Sequence, residues 1–428
     1  IKDFSSSGLI NTLLEISEGY DNLFYFYADC PFIDTRLSKK MYDNHRKYFS
    51  EYTFADGYPA GIGVEIIKTS IMPSMARLAE GMQNPFERNT LFKVIEKDIN
   101  AFDIETEISP DDQRLLRVSL YPDTKRNFLQ LKALSAVLSD SGLPQNSDNP
   151  ASAIIEAVRS RGDILRTLPA FYEIETTAST PQKISYFPEV KTAEGSEMSA
   201  ASFNEIMEGI SDFSEDAVIS LSVRNEPSLH SSPADLAESV LSYDKFHLLI
   251  ETSGLSWDDN ELERILAMDQ KRITWIVDLD ALDREVYGSL RGPGYDEAYS
   301  FADKLVSAVK DNTYLQVVRM KENEEDTEQF YKYWKEKTNN VIIQKYDWCC
   351  GRLEQRKVTD LSPVKRLPCW HLKRDMVIRM DGTVPLCRDD LYEEMVCGNV
   401  FRDSLQKIWQ KGEDYYRRHL KEEYPGIC

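Results

Sequence analysis

Three cysteines near the end of the chain restrict its fold more than any other feature. Cys369, Cys387 and Cys428 are spaced, with Gly382 between the first two, as C-x12-G-x4-C-x40-C. Thiolates are soft ligands, and sets of four cysteines hold iron–sulfur clusters when the fold brings their sulfur atoms together. The spacing therefore predicts that the C-terminal segment folds around an iron–sulfur cluster held by these three cysteines.

A cluster of this kind needs a fourth ligand. The chain begins at Ile1 rather than at a methionine and stops at Cys428, which would open a C-x-x-C pair. We therefore expect both ends to be cut and a further cysteine to follow. Two other interpretations stay open. The cysteines are small buried hydrophobes, as free cysteines often are, or they bind zinc together with His371, two residues past Cys369.

The sequence around these cysteines resembles a known family. Residues 366–428, with the segments PLCRDD, CGNV and DSLQKIW, resemble the SPASM (twitch-type) domain that is appended to radical S-adenosylmethionine (SAM) enzymes. The resemblance implies that Cys369, Cys387 and Cys428 ligate one auxiliary [4Fe–4S] cluster. Ser404 as an N-cap, followed by an apolar face at helical spacing, predicts a helix that supports the cluster.

A preceding segment, residues 170–345, resembles the partial βα barrel of the same enzymes in its order of segments, from FYEIETT through LSVRNEPSLH to VIIQKYD. The C-x3-C-x2-C loop that these enzymes place after the first strand is absent. Thr180, Ile184 and Phe187 stand at its cysteine positions. Ile and Phe offer no lone pair to iron, and Thr is a poor substitute for a thiolate. The resemblance implies a barrel that has lost its SAM-cleaving cluster, so we do not expect SAM as a cofactor.

A second departure concerns the Gly-Gly-Glu-Pro segment that lines the SAM amino group in those enzymes. The corresponding residues here are Arg224, Asn225, Glu226 and Pro227. Glycine permits the close approach of a ligand to the backbone, and Arg and Asn fill that space with side chains. Glu226 is a residual position of the SAM pocket, which either binds an amino group in the barrel mouth or pairs with Arg224 or another cation.

Alternating strand and helix patterns predict the architecture of this region. Strands are expected at 170–177, 217–223, 246–252, 273–280, 313–320 and 340–346. A helix at 202–210 has apolar residues at i, i+3, i+4 and i+7, which form a core-facing stripe. A run of such βα units predicts a parallel, right-handed, partly closed barrel.

The first 140 residues predict a separate α/β sheet domain, with strands at 23–29, 63–67 and 114–120 and a helix at 37–45. YADCPFID followed by YPAGIGVEII resembles the SpsF-like cytidylyltransferases of surface-polysaccharide pathways. The resemblance implies that Asp29 holds Mg²⁺ on a nucleotide. Gly63 stands where that family has an aspartate, and residues 1–140 contain no G-x-G-x-R loop.

The other cysteines and the histidines are assigned to packing. Cys349 and Cys350 are adjacent, so on extended backbone at most one of them readily faces a cluster. Cys397 occupies a position that is generally apolar in SPASM domains, where we expect a buried substitute for Leu or Val. Four dispersed histidines without a Ser or Cys partner at a catalytic spacing are assigned to helix surfaces and strand cores, namely His45, His230, His247 and His419.

Composition excludes some classes of function. The net charge of −21 repels nucleic-acid phosphates and anionic membrane surfaces, so we expect no nucleic-acid partner. No apolar run approaches the roughly 20 residues that a membrane span needs. Seven cysteines, six of them after position 348, do not resemble the dense disulfide framework of a small secreted domain, and we expect a cytoplasmic protein.

Together these patterns predict an α/β chain in four parts: a nucleotidyltransferase-like domain (1–140), a linker and helix (141–168), a radical-SAM-like barrel (169–365) and a SPASM domain (366–428). This order resembles the spirochaete family called spiro-SPASM proteins. The leading hypothesis is a barrel without SAM chemistry whose auxiliary cluster serves electron transfer or organises a surface for a peptide, protein or sugar-nucleotide partner. The alternatives are a cytidylyltransferase-like enzyme that uses a magnesium nucleotide, and a noncatalytic interaction scaffold.

Overall fold

A computed structural model of the chain describes residues 3–110, 112, 114, 117–140, 150–188, 196–349, 351–359, 368–426 and 428. The chain divides into two compact units, Ile1–Leu165 and Arg166–Cys428, which we call unit 1 and unit 2. The division falls within the range 141–168 predicted as a linker and helix, of which residues 141–149 lie outside the described residues.

Unit 1 is an α/β domain built on a four-stranded sheet of order β1-β3-β2-β4, in which β2 and β4 are parallel and the other pairs are antiparallel. Its strands are β1 (Asn22–Tyr25), β2 (Tyr52–Asp56), β3 (Glu65–Lys68) and β4 (Ile104–Ile108). Its helices are α1 (Ser6–Ile16), α2 (Thr35–Lys47), α3 (Met72–Leu78), α4 (Thr90–Ile95), α5 (Lys125–Asp140) and α6 (Pro150–Ser160).

The expected elements of unit 1 are confirmed in part. Strands β1 and β3 and helix α2 lie where the sequence patterns place them, whereas β2 and β4 were not anticipated. The strand expected at 114–120 is wrong for the residues described there. Ser119 forms only an isolated bridge to Ala60, and Arg117 has a left-handed φ of 47°, which interrupts extended backbone.

Unit 2 contains a seven-stranded, fully parallel sheet of order β10-β9-β8-β7-β6-β5-β11. Its strands are β5 (Phe171–Ile174), β6 (Ala217–Ser220), β7 (Phe246–Thr252), β8 (Ile273–Asp278), β9 (Thr313–Arg319), β10 (Val341–Lys345) and β11 (Asp375–Ile378). Helices between the strands are α7 (Ala200–Ser214), α8 (Pro233–Leu241), α9 (Asp259–Leu266), α10 (Arg284–Arg291), α11 (Tyr295–Ala308) and α12 (Glu324–Lys335). The prediction of alternating βα units with a parallel sheet is therefore confirmed.

Burial along the strands explains where polar residues collect. In β8 the buried residues Ile273, Trp275 and Val277 alternate with half-buried ones, because successive side chains point to opposite faces of the sheet. Asp278 ends β8 and Thr252 ends β7. Ligand crevices of parallel sheets lie at these carboxyl ends, so the strand pattern places polar groups where a binding site is expected.

The C-terminal segment of unit 2 joins the same sheet through its edge strand β11. It continues with β12 (Thr383–Pro385) and β13 (Val396–Asn399), which form an antiparallel pair, and with the helices α13 (Trp370–Arg374), α14 (Leu405–Lys411) and α15 (Glu413–Leu420). Helix α14 begins as predicted, since the Ser404 hydroxyl accepts a hydrogen bond from the Lys407 N–H at 3.4 Å.

Short 3₁₀ helices complete the described structure, at Thr69–Ile71, Glu96–Ala101, Gly162–Leu165, Pro227–Leu229, Gln270–Arg272, Lys310–Asn312 and Lys321–Asn323. Among the helices that the structure describes, none has both the length and the apolar character that crossing a bilayer requires.

Candidate functional site

Two of the predicted cluster ligands lie close together in the C-terminal segment. Cys369 immediately precedes α13, and Cys387 follows β12 by two residues. Burial raises the pKa of both thiols, and the charge of Cys369 contributes to the raised pKa of Cys387. Both cysteines are therefore neutral thiols at pH 7 unless a metal binds them, and they are near enough to influence each other.

The third predicted ligand is joined to the first through His419. The Cys369 N–H donates to His419 Nδ1 at 3.4 Å, and Cys428 Sγ lies 3.7 Å from His419 Nε2. The His419 side chain is buried on α15, at 2% exposure, and contacts the Tyr424 ring edge-on. His419 is therefore packed inside the C-terminal segment, whereas the dispersed histidines were expected on helix surfaces and in strand cores. Its i,i+3 spacing from the buried Tyr416 is the sequence signal that points it inward.

The donor chemistry of this region fits an iron–sulfur cluster. Cys369, Cys387 and Cys428 would supply three soft thiolates. Their arrangement is not a finished metal site, because within the described ranges no group of three or more His, Cys, Asp or Glu side chains has the geometry to hold a metal ion. His371 is engaged by Asp375, with Nδ1 and Oδ2 2.5 Å apart.

The remaining cysteines of unit 2 are packing residues where they are described. Cys397 is buried at 7% exposure within the main apolar core, which confirms its expected role. Cys349 is buried, and its sulfur lies 3.6 Å from the Arg224 guanidinium. Cys350 lies outside the described residues.

A cleft lies at the carboxyl ends of the parallel strands in unit 2. Thr180, Ile184 and Phe187, which the sequence resemblance sets at the cysteine positions of the C-x3-C-x2-C loop, all line it. Ile184 and Phe187 also pack against a small apolar cluster that includes Tyr186 and Met320. The loop therefore presents a hydroxyl and two hydrocarbon side chains to the cleft.

Glu226 lines the same cleft and is held by hydrogen bonds from the end of β7. Its Oε1 accepts from the Thr252 hydroxyl at 2.5 Å, and its Oε2 accepts from the Ser253 N–H at 2.8 Å and from the Ser253 hydroxyl at 2.6 Å. Burial raises the pKa of Glu226, and these hydrogen bonds oppose that shift. The proposed pairing with Arg224 does not occur, since Arg224 pairs with Asp389 at 2.9 Å.

Two further carboxyl groups approach each other in this cleft. The side-chain amide of Gln316 donates to Asp278 at 2.6 Å and lies 3.4 Å from a Glu251 oxygen. Burial first, and then the neighbouring charge of Glu251, raise the pKa of Asp278 well above its usual range. The negative charge of Glu251 therefore disfavours ionisation of the Asp278 carboxyl group.

The residues directly after Cys387 reach into the cleft. Arg388 pairs with the buried Glu173 on β5 at 3.0 Å and donates to the Val223 carbonyl at 3.2 Å. Asp389 forms the ion pair with Arg224 described above. In the first pair the segment after Cys387 supplies the cation, and in the second it supplies the anion. The two pairs together therefore fix the position of this segment against the cleft. Neither pair was anticipated from the sequence.

In unit 1, Asp29 is engaged by a cation. Its two carboxylate oxygens accept from Arg88 at 3.0 and 2.6 Å, which lowers its pKa. A side chain at Gly63 would have its Cβ 3.0 Å from the Ala55 Cβ, so the acidic residue expected in cytidylyltransferases has little room there. Magnesium binding at Asp29 stays a prediction, and it would require displacement of Arg88.

Comparison with known proteins gives one family match. The family described as SPASM, an iron–sulfur cluster-binding domain, matches residues 369–428. The match therefore begins at Cys369 and ends at Cys428, the first and last of the predicted ligands.

A relative from Treponema pallidum (strain Nichols), described as an uncharacterized protein, is 38% identical over 354 residues, which is 79% of this chain and 95% of that protein.

Two solved structures share a weaker likeness. Streptococcus suis SuiB bound to the precursor peptide SuiA has a TM-score of 0.48 and 14% identity, covering 78% of this chain and 81% of SuiB. BtrN in complex with AdoMet and 2-DOIA has a TM-score of 0.43 and 19% identity, covering 61% of this chain and 92% of BtrN. Likeness at this level assigns no activity to the chain.

Proposed function

Because the chain belongs to the same family as the Treponema pallidum protein and ends in a SPASM domain, we propose that it keeps one auxiliary iron–sulfur cluster and performs no SAM-cleaving chemistry. In this proposal the family is the spiro-SPASM group that the sequence resembles. Cys369, Cys387 and Cys428 would hold the cluster, whose chemistry would be one-electron transfer.

The observation that carries the loss of SAM chemistry is the lining of the unit 2 cleft. Thr180, Ile184 and Phe187 provide no thiolate for a second cluster. Arg224 occupies the position of a family glycine, and its guanidinium lies 5.5 Å from the Phe187 ring and 2.9 Å from Asp389. The cleft is therefore closed by side chains where related enzymes leave room for SAM.

The ion pairs of Arg388 and Asp389 support a role for the cluster in organising the cleft. Both residues follow Cys387 directly in the chain, so any movement of that ligand displaces both ion pairs. The cleft wall combines the Glu251 and Asp278 carboxyl groups with the Arg388 cation. A partner with charges of both signs, such as a peptide or protein segment, suits this lining better than a neutral sugar.

The proposal is tested by counting iron and acid-labile sulfide in the chain purified without oxygen. We expect about four irons per chain, the content of one [4Fe–4S] cluster, and no 5′-deoxyadenosine after reduction with SAM present. The Cys369→Ala, Cys387→Ala double variant should lose the iron. Cys397→Ala is the matched control, because it also removes a buried thiol and should keep the iron.

Other iron contents decide against parts of the proposal. About eight irons would mean that the loop containing Thr180 holds a second cluster after all. A protein without iron that contains zinc, or no metal, would exclude the cluster and leave the scaffold hypothesis.

A further inference from the structure

A second cleft, in unit 1, plays no part in the proposed function. It lies against the four-stranded sheet. Its wall is unusually rich in aromatic rings, namely Tyr25, Phe26, Tyr27, Tyr52, Phe54, Tyr58, Phe92 and Tyr121. An aromatic wall of this size presents many negatively polarised ring faces and hydroxyl groups to a ligand.

One carboxyl group, that of Glu65 on β3, lies among these rings and lines the cleft. Its Oε2 accepts a hydrogen bond from the Tyr52 hydroxyl. Its Oε1 accepts no hydrogen bond, and Glu65 forms no ion pair, with any residue that the structure describes. Burial raises the pKa of Glu65 to about 7, and the Tyr52 hydrogen bond opposes the shift. A half-buried carboxylate without a counter-charge is costly.

The tyrosines around Glu65 are held in place by one another. The Tyr25 and Tyr27 rings meet edge to face at 5.4 Å, and the Tyr27 and Tyr121 rings do so at 6.4 Å. Gly61 permits the position of Tyr121, because a Cβ at Gly61 would lie 2.9 Å from that ring and its φ is +95°. Burial is the main cause of the raised pKa of all three tyrosines, and the negative charge of Glu65 adds to it. All three tyrosines line the same cleft as Glu65.

The cleft already holds one cation at its rim. The Arg88 guanidinium lies 4.6 Å from the centre of the Tyr27 ring and 4.0 Å from that of Tyr121. Arg88 is neutralised by Asp29 at 2.6 Å and approached by Asp123 at 3.6 Å. Two carboxylates against one guanidinium leave this group negative overall. The rim therefore offers no unpaired positive charge for a phosphate or a carboxylate ligand.

We propose that the unit 1 cleft binds an organic ammonium ion, with Glu65 as its counter-charge and the rings of Tyr25, Tyr27 and Tyr121 around it. Aromatic faces attract cations strongly when water is excluded, and cages of this kind recognise methylated and quaternary ammonium groups. The ligand would supply the positive charge that the protein does not supply to Glu65. This site is independent of Cys369, Cys387 and Cys428 and of the cleft in unit 2.

The first test is isothermal titration calorimetry of the whole chain at pH 8.5 with tetramethylammonium chloride and with tert-butanol, a neutral alcohol that has the same number of heavy atoms around a tetrahedral centre. We expect saturable binding of the cation and at least tenfold weaker binding of the alcohol. Equal binding of the two would overturn the proposal, because the cleft would then recognise apolar shape. The absence of any binding of tetramethylammonium would overturn it as well.

A second test measures how the affinity for the cation depends on the protonation of Glu65. The carboxylate is needed for cation binding, so affinity should fall as pH decreases through about 7. Between pH 8.5 and 5.5 we expect a loss of roughly 30-fold, the ratio set by the fraction of ionised carboxyl. The titratable groups lining the cleft near it keep their charge over this range, namely Tyr25, Tyr27, Cys30, Tyr52, Tyr58, Arg88 and Tyr121. Affinity that does not change with pH would exclude Glu65 as the counter-charge.

Two variants distinguish an effect on ligand binding from an effect on folding. Glu65→Gln keeps an acceptor for Tyr52 and removes the charge, and we expect at least tenfold weaker binding that no longer depends on pH. Glu105→Gln is the matched control and should bind like the wild type, because Glu105 lies outside the cleft lining, on β4, which β2 separates from β3. If Glu65→Gln does not fold, the pH titration of the wild type still decides the proposal.

Discussion

At the scale of single residues, the unit 2 cleft keeps its charges by pairing or hydrogen-bonding each of them to a specific partner. The buried Arg291 and Asp280 form an ion pair that the Tyr186 hydroxyl also joins. Glu226, at 4% exposure, depends instead on three neutral donors at the end of β7. Removing one member of such a network leaves its partners buried without a hydrogen bond. The desolvation penalty of these partners exceeds the net stabilisation that the hydrogen bonds provided.

The substitution Glu226→Ala should lower the free energy of unfolding of unit 2 by about 3 kcal/mol, since it leaves the Ser253 N–H and two hydroxyls buried without an acceptor. Glu226→Gln should cost less, because the amide oxygen can replace one acceptor. Urea unfolding followed by tryptophan fluorescence measures this, as all six tryptophans lie in unit 2. The exposed Glu208→Ala on α7 is the control, and an equal effect of the two alanine variants would contradict the network.

At the scale of secondary-structure elements, the turn between β11 and β12 depends on Gly382. Its φ is +82°, and a Cβ there would lie 2.4 Å from the Phe401 ring. Gly382 is also the glycine of the cysteine spacing pattern, so the pattern marks a turn that only glycine can form. Arg166 fastens the neighbouring helices, donating to the Leu372 and Trp409 carbonyls, each at 2.8 Å.

We predict that Gly382→Ala destabilises unit 2 by about 2 kcal/mol or more, because it combines a left-handed backbone with a steric overlap. Gly288→Ala is the matched control. Gly288 lies within helix α10 with open space around it, and alanine there should stabilise the helix by about 0.5–1 kcal/mol. Thermal unfolding of both variants gives the comparison, and the same sign for both would refute the turn argument.

At the scale of the whole molecule, 72 acidic residues against 51 basic ones give the net charge of −21. Many of the acids are paired at the surface, where ion pairs contribute little. The excess negative charge repels itself, and this repulsion opposes the compact state. Dissolved salt should therefore favour folding.

Raising NaCl from about 20 mM to 500 mM should increase the Tm by a few degrees, since the Debye length falls from roughly 20 Å to about 4 Å. Differential scanning calorimetry measures the shift. KCl at the same concentrations is the control, because screening depends on ionic strength rather than on the identity of the cation. A decrease in Tm would mean that favourable ion pairs outweigh the self-repulsion.

Local sequence determined much of this protein. The cysteine spacing identified the segment that matches the SPASM family. Hydrophobic periodicity located helix α14 and six of the seven strands of the parallel sheet, but it missed β11. These signals are formed by residues within a few positions of one another, so they can be recognised without knowledge of the fold. The short strands β2 and β4 were missed because most of their own residues are half-buried. Such strands show little alternation of apolar and polar residues in the sequence.

Only the tertiary structure decided which distant residues meet. It placed His419 between Cys369 and Cys428, joined Asp389 to Arg224 across 165 positions of sequence, and left Glu65 without a counter-charge among the tyrosines of unit 1. Such contacts depend on strand order and on the packing of whole elements rather than on local periodicity. The partners of charged side chains are the hardest contacts to predict from the sequence. Many acidic and basic residues are equally suitable partners, and the order of elements in the fold decides which of them meet.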